Sequence, residues 1–372
     1  MTPTAPGCAD SGDRGACGRF GGSTSGANHK LNGTVPRPRE PAVKAVVFDR
    51  FGPPEQVLQY REVPEPIPAR GEVKVRMLAS PINPSDLLYV AGHYGLKPKA
   101  FPTTPGFEGV GIVVANGGGL IGRWRMGKRV AVLNDRLGNW SEFTVASAKQ
   151  VIPVPADIPD DQAASFFVNP ATAVALTERV LKVPTGAWLL QSAAGSALGK
   201  MIISLGKHRG FRTLNVVRRP EQVEELKKLG ADEVILEKDG IEDRVRKITD
   251  GTGVNYAIDP VGGSTGTQVV QSLADGGVCL LYGLLSGEPV SVDPRLLITG
   301  SKSVQGFWLA DYMKSIGLVK KLQLIREVRG LIQAGVLRSE TGTTYPLERI
   351  GDAVREAATP GKAGKVLLRI GN

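Results

Sequence analysis

A turn of small residues, AAGSALG at positions 193–199, lies between the apolar run LLQSA and the helical pattern ALGKMIISLGKHRG. Small residues at a helix start let backbone N–H groups approach a pyrophosphate, whose charge the helix N-terminus favours. Ala194, Ser196 and Gly199 stand at the three small positions of a dinucleotide-binding turn. The residues facing the phosphates would be Gly195, Ser196, Ala197 and Leu198. A second apolar run then ends in Val216-Val217-Arg218-Arg219. An acidic residue here would bind a ribose 2′-hydroxyl, whereas two arginines suit a 2′-phosphate, which guanidinium groups pair in bidentate fashion. The pair therefore points to NADPH; the plainer alternative is a solvated basic pair opening the next helix. Tyr282 and Gly283 follow the run VCLL, at a strand end of the kind where open parallel sheets bind ligands. The plainer alternative there is a turn glycine beside a packed Tyr.

These residues need elements to position them. AWLLQSA reads as a buried strand, ALGKMIISLGKHRG as a helix and FRTLNVVRR as a strand. RPEQVEELKKLGA then reads as a helix and DEVILEK as a strand. Alternation of this kind means βαβ units and a parallel sheet. From Val43 to about residue 165 the pattern is different. VKAVVF, LQYREVPEPIP, GEVKVRMLASPIN, FEGVGIVVAN, KRVAVLN and WSEFTVAS are strand candidates bounded by Gly, Pro or Asn. The last sixty residues hold one long helical pattern, VKKLQLIREVRGLIQAG, and end in the strand KVLLRI. The expected fold class is α/β. A doubly wound, Rossmann-type cofactor domain (168–307) is inserted in a β-rich domain (43–167 and 308–372).

Residues 1–42 are rich in Gly, Ser and Pro and lack hydrophobic periodicity, so a disordered extension is expected. Val43 could be the native start, which an intact mass would test. The formal charge of +10 is scattered rather than gathered with aromatics. That argues against nucleic acid and for a surface attracting anionic small molecules. No apolar run nears the ~20 residues that span a bilayer, so no membrane partner is expected. Three cysteines, Cys8, Cys17 and Cys279, make no disulfide framework. They fit a reducing, cytoplasmic location.

Two segments of the β-rich part carry a family resemblance. SPINPSDLLYVAGHYGLKP and PGFEGVGIVV resemble the substrate-side motifs of the medium-chain dehydrogenase/reductase superfamily, whose β-rich domain is GroES-like. Its zinc alcohol dehydrogenases place a ligating Cys in the first motif and a ligating His in the second. This chain has Asn83 and Phe107 at those positions, and it lacks the cysteine-rich loop of the structural zinc. With three His in all (His29, His93, His208) and no placed thiolate, no zinc ligand set is present in the pattern.

From about Val43 to its end the chain resembles mitochondrial-type trans-2-enoyl-thioester reductases. MLASPINPSDLL, GHYGLKP, RLGNWSEF, FFVNPATA, TLNVVRR, LYG and GFWLA match that family's blocks in order. The resemblance implies that Tyr94, here preceded by His93 rather than Asn, lies in the catalytic cleft. It implies that Asn169 approaches the nicotinamide side of NADPH. Phe307, Trp308 and Leu309 would line the cleft, and Lys365 would reach a cofactor phosphate. The turn departs from the family's Asn-Ser type in having Gly195-Ser196. Reducing an enoyl thioester requires hydride at the β-carbon and a donor for the enolate oxygen or the α-carbon, and hydrogen bonds can do the polarising. A neutral Tyr hydroxyl suits that donor, so Tyr94 takes the role, with Trp308 shaping the substrate slot. Asn83 and Asp86 are cleft hydrogen-bonders or turn-formers around Pro84; both readings stay open. A quinone or alkenal reductase on the same fold is the alternative activity, and a cofactor-binding, crystallin-like protein the non-enzymatic one. The expected assembly is a homodimer through edge strands such as VCLLYGLL.

Overall fold

The computed structural model describes residues 41–134 and 136–371. The chain enters an antiparallel ribbon, β1 (Ala42–Val47) with β2 (Gln59–Pro64). The expected extension therefore lies outside the described residues except for Pro41 and Ala42, and Ala42 already begins a strand. A larger sheet follows, made of β3 (Glu72–Pro81), β4 (Glu108–Asn116), β5 (Arg129–Leu133), β6 (Phe143–Ser147) and β7 (Val151–Pro153). Over Glu72–Ala79 the residues of β3 alternate as the sequence does, and its last two residues are buried as well. Val73, Val75 and Met77 are buried against Val113, Val130 and Val132, while the residues between them face outward. β3 is long enough to pair with β6 near its start, with β4 along the other edge, and with a later strand at its end.

Six parallel strands form the second sheet: β8 (Trp188–Gln191), β9 (Arg212–Val217), β10 (Glu233–Leu236), β11 (Val254–Asp259), β12 (Leu273–Leu281) and β13 (Ser303–Gly306). Their spatial order, β10-β9-β8-β11-β12-β13, is the doubly wound order of dinucleotide-binding sheets. The order reverses between β8 and β11, which opens a crevice at the strands' carboxyl ends. The Val278–Leu281 part of VCLLYGLL is not an edge, which corrects the expectation. β12 is paired by β11 on one side and β13 on the other, and the edges are β10 and β13. The segment's apolar character reflects its burial within the sheet.

The chain then returns through the helix Leu318–Gln333 to β14 (Thr341–Pro346) and β15 (Lys365–Arg369), and β15 pairs with the end of β3. The largest apolar cluster joins the two sheets. It runs from Ala79, Val110 and Leu367 through Phe166, Phe167 and Val174 to Leu189, Met201 and Leu280. Burial of such side chains contributes roughly 1.5–3 kcal/mol each, so this core holds the two sheets as one body. The helix Val168–Val174 lies in its middle and runs on as a π-helical turn, Ala175–Val180, which the sequence pattern did not suggest.

Candidate active site

At the switch point β8 ends in Gln191, and the chain turns through Ser192–Ser196 into the helix Ala197–Arg209. Ser196 caps this helix, its hydroxyl accepting from the Gly199 N–H at 3.1 Å. The amides of Ala197 and Leu198 open the first turn, where a helix supplies no partner of its own. Ala193 holds φ at +48°, a left-handed conformation that costs a residue with a side chain and clusters at ligand-cradling turns. A Cβ on Gly199 would stand 2.4 Å from the Ala194 carbonyl oxygen, so only glycine lets the helix close on the strand. Gly195 is covered by Gln222, whose amide nitrogen would be 1.9 Å from an added Cβ. The Ser192 hydroxyl donates to the buried Asp259, and Asp259 also accepts the amides of Val261 and Gly262. The ends of β8 and β11 are thereby stitched together across the crevice.

Arg218 and Arg219 stand exposed just past β9. Arg219 is steered, because its Nη1 donates to the Gly361 carbonyl at 3.1 Å, in the loop preceding β15. Arg218 makes no ion pair among the described residues. Tyr282 follows β12, its hydroxyl buried without a hydrogen-bond partner among the described residues; burial, aided by the nearby Asp259, raises its pKa well above the usual range. At Gly283 a Cβ would meet the Pro260 carbonyl oxygen at 2.7 Å. These residues fit a phosphorylated dinucleotide: a cradle that larger side chains would fill, an open helix N-terminus, and two cations beyond the second strand.

On the other side of the crevice the helix Pro84–Ala91 ends at Gly92, whose φ of +81° turns the chain sharply into His93 and Tyr94. His93 is exposed and Tyr94 half-buried. Phe307, Trp308 and Leu309 come from the distant end of β13. Phe307 and Leu309 pack on the central core, and Trp308 directly precedes the helix Leu309–Ser315. Trp308 Nε1 donates to the Tyr94 hydroxyl oxygen at 2.8 Å, and the two rings meet edge to face at 5.7 Å. An indole N–H can only donate, so Tyr94 is the acceptor in this bond and keeps its own proton for another partner. Burial raises the Tyr94 pKa, the Trp308 N–H lowers it, and Asp86 and Asp311 raise it further. Tyr94 is thus a protonated donor at neutral pH. Phe107 backs its ring at 5.1 Å.

Both parts of the chain that border this crevice match models of known families. The GroES-like alcohol dehydrogenase model matches residues 69–156, and the zinc-binding dehydrogenase model matches residues 197–323. The mitochondrial enoyl-[acyl-carrier-protein] reductase of Xenopus tropicalis is 34% identical over 335 residues, 88% of this chain and 95% of the relative. The chain belongs to the medium-chain dehydrogenase/reductase superfamily. It is an oxidoreductase of that superfamily, similar to the enoyl thioester reductases. Among solved structures, a Bacillus thuringiensis protein assigned as an NADPH:quinone reductase superposes with a TM-score of 0.83. It is 34% identical and covers 89% of this chain and 99% of its own. The complex of Etr1p with NADP and crotonyl-CoA superposes at 0.76 with 25% identity, covering 88% of this chain and 99% of that one.

At the two positions where zinc members of the superfamily carry ligands, the structure puts Asn83 and Phe107 into a different network. Asn83 caps the helix Pro84–Ala91 in a reciprocal capping box with Asp86. Asp86 Oδ2 accepts the Asn83 N–H at 2.8 Å, and Oδ1 accepts the Phe107 N–H at 3.0 Å. Of the two readings left open for Asn83 and Asp86, the turn-forming one accounts for these bonds. Glu108, which motif reading passed over, accepts from Asn83 Nδ2 at 3.1 Å and from the Val168 N–H at 3.0 Å. The half-buried Asn169 is the next residue along. Lys365 corrects an expectation. Its side chain is 6% exposed and its Nζ lies 3.9 Å from Glu108 Oε1, with no hydrogen-bond partner among the described residues. Burial lowers its pKa, opposed by Glu108 and Asp86. It is turned into this buried cluster, while the loop before it meets Arg219 through the Gly361 carbonyl. One signal in the sequence could have found the cluster: Glu108 is an acidic residue inside the otherwise apolar strand FEGVGIVV, and such a residue needs buried partners.

Proposed function

We propose that this protein is an NADPH-dependent reductase of the carbon–carbon double bond of 2-enoyl thioesters. The observation that carries the reading is the contact between Tyr94 and Trp308. It joins the GHYG and GFWL blocks, 214 residues apart, into one donor pair. A bound reduced nicotinamide would supply the hydride. The turn Gly195–Leu198 would hold the pyrophosphate, Arg218 and Arg219 the 2′-phosphate, and Asn169 the nicotinamide side. Tyr94 would donate its hydroxyl proton toward the thioester carbonyl, stabilising the enolate or protonating the α-carbon, while the Trp308 N–H holds the phenol oxygen in place. Similarity over nearly the whole chain to mitochondrial enoyl-[acyl-carrier-protein] reductases supports the thioester. The likeness to a Bacillus thuringiensis quinone reductase supports a second reading, a quinone or enone reductase using the same residues. In either reading the protein works as a homodimer in a reducing, cytoplasmic compartment.

The test is a panel of acceptors: NADPH oxidation with crotonyl-CoA, 2-hexenoyl-CoA, a free enal and a benzoquinone. Turnover of the thioesters at the highest kcat/KM is the expected result. Turnover of quinone alone would overturn the thioester substrate, and tight NADPH binding without turnover of any acceptor would overturn the enzyme.

A further inference from the structure

The Glu108 carboxylate, 2% exposed at the first position of β4, touches both walls of the site at once. Its Oε1 accepts from the side chain of Asn83, the cap of the helix that delivers Tyr94. Its Oε2 accepts the Val168 N–H, the first amide of the helix that carries Asn169. Its backbone oxygen is held by the Ser80 hydroxyl at 2.6 Å, and Lys365 at the start of β15 supplies the balancing charge. Segments separated by 25, 60 and 257 residues therefore converge on one side chain; β3 pairs with both β4 and β15, whereas the helix Val168–Val174 lies outside that sheet and meets it at Glu108 through the Val168 N–H.

We propose that Glu108 is a positioning residue for hydride and proton delivery, fixing the distance between the Tyr94 wall and the Asn169 wall. A carboxylate suits this task because each oxygen can accept a bond from a different wall, whereas a neutral amide offers one acceptor and would set a donor against Asn83 or Val168. Asp86 reinforces the same geometry from beneath, locking the Asn83 turn to Phe107, whose ring packs against Tyr94. The alternative is a purely structural ion pair that holds the fold and has no bearing on the reacting groups. The two differ in what a folded variant loses. A shift of about 1 Å between reacting groups costs on the order of 10²-fold in rate while leaving the cofactor's own contacts intact. Loss of a structural pair lowers stability and binding together.

The inference rests on Tyr94 as the proton donor, so the variants are assayed on whichever acceptor the wild-type protein reduces fastest. A wrong substrate class then shows in the wild type, separately from a wrong role for Glu108. Glu108→Gln leaves the Lys365 ammonium buried without its counter-charge, and the fold will suffer. The double variant Glu108→Gln/Lys365→Met removes that charge. Asn83→Ser keeps the helix cap and deletes only the amide that Glu108 accepts from. Melting temperature, NADPH Kd, kcat and the isotope effect with 4-deuterated NADPH are measured for each. The expected result is a kcat loss on the order of 10²-fold in the double variant and about tenfold in Asn83→Ser. NADPH Kd should stay within about threefold of wild type, and the isotope effect on kcat should rise as hydride transfer becomes slower. A wild-type kcat in either variant would overturn the proposal. So would parallel losses of melting temperature, NADPH affinity and kcat with an unchanged isotope effect.

Discussion

The two walls of the site are built by opposite means. The phosphate cradle of the cofactor wall is a local construction, supplied by one strand, one turn and one helix spanning Trp188–Arg209. The cradle works through absent side chains, most visibly at Gly199, and through amides that every residue carries. The substrate wall is non-local. Tyr94 and Trp308 come from opposite ends of the chain, and the cluster behind them joins Asn83, Asp86, Glu108 and Lys365 from three separate stretches. A site of backbone amides tolerates many sequences so long as small residues recur at the right spacing. A site of buried charges tolerates few, because each group needs its particular partner. The comparison teaches where the proposed function is most exposed to test: cofactor binding rests on the first wall, and the reaction rests on the second.

The sharpest way to break that division is Tyr94→Phe. Removing the hydroxyl while keeping the ring should lower kcat by about 10²–10⁴-fold with NADPH affinity unchanged, as loss of a general acid does. Steady-state kinetics and a direct cofactor titration check it, and unchanged turnover would remove Tyr94 from the chemistry. On the opposite wall, Arg218→Ala/Arg219→Ala should weaken NADPH by about 10–100-fold, the worth of one charge-assisted bond, with NADH little changed. Equal losses for both cofactors would show that the pair does not read a 2′-phosphate. Trp308→Phe keeps most of the packing and deletes one neutral hydrogen bond to Tyr94. A kcat decrease of about 2–10-fold is expected, seen as a ratio at fixed pH. A loss as deep as that of Tyr94→Phe would make the indole part of the chemistry.

The smallest effect concerns stability. Burial pushes the Asp86 carboxyl up to about 7, raised further by Glu108 and opposed by its two backbone N–H partners and by Lys365. The folded protein then holds this proton more tightly than the unfolded chain, whose carboxyl has the ordinary value of 3.8. Its contribution to stability is present below that value and is lost as pH rises toward 7. Melting temperature should therefore fall less steeply between pH 4 and pH 7 in Asp86→Asn than in the wild type. Identical slopes would show that Asp86 is ionised throughout that range in the folded protein.

Much of the cofactor wall was legible in the residues alone. The helix that follows the small turn begins at Ala197, and Arg218 and Arg219 emerge directly from the end of β9, because strand, turn and helix are set by neighbours a few positions apart. Strands β3 to β6 were legible as well, since alternation of apolar residues expresses which face is buried. Tyr94 and Trp308 could be singled out only through family resemblance, because a lone Tyr and a lone Trp carry no periodic signal. The place of Val278–Leu281 inside the sheet was misread, because an apolar strand looks the same in the interior and at an edge that a partner covers.

By itself, the sequence determined the local chemistry of this protein: a small-residue turn followed by a basic pair, and side chains other than metal ligands at Asn83 and Phe107. Backbone conformation and amphipathic period operate over a few residues and leave their mark in composition and spacing. Only the tertiary structure decided that Trp308 donates to Tyr94, that Lys365 turns inward to Glu108, and that Glu108 bridges the two walls. Those outcomes depend on which distant segments the cores and sheets bring within hydrogen-bond reach. A buried charge takes whichever partner the packing offers it, and no local pattern encodes that choice.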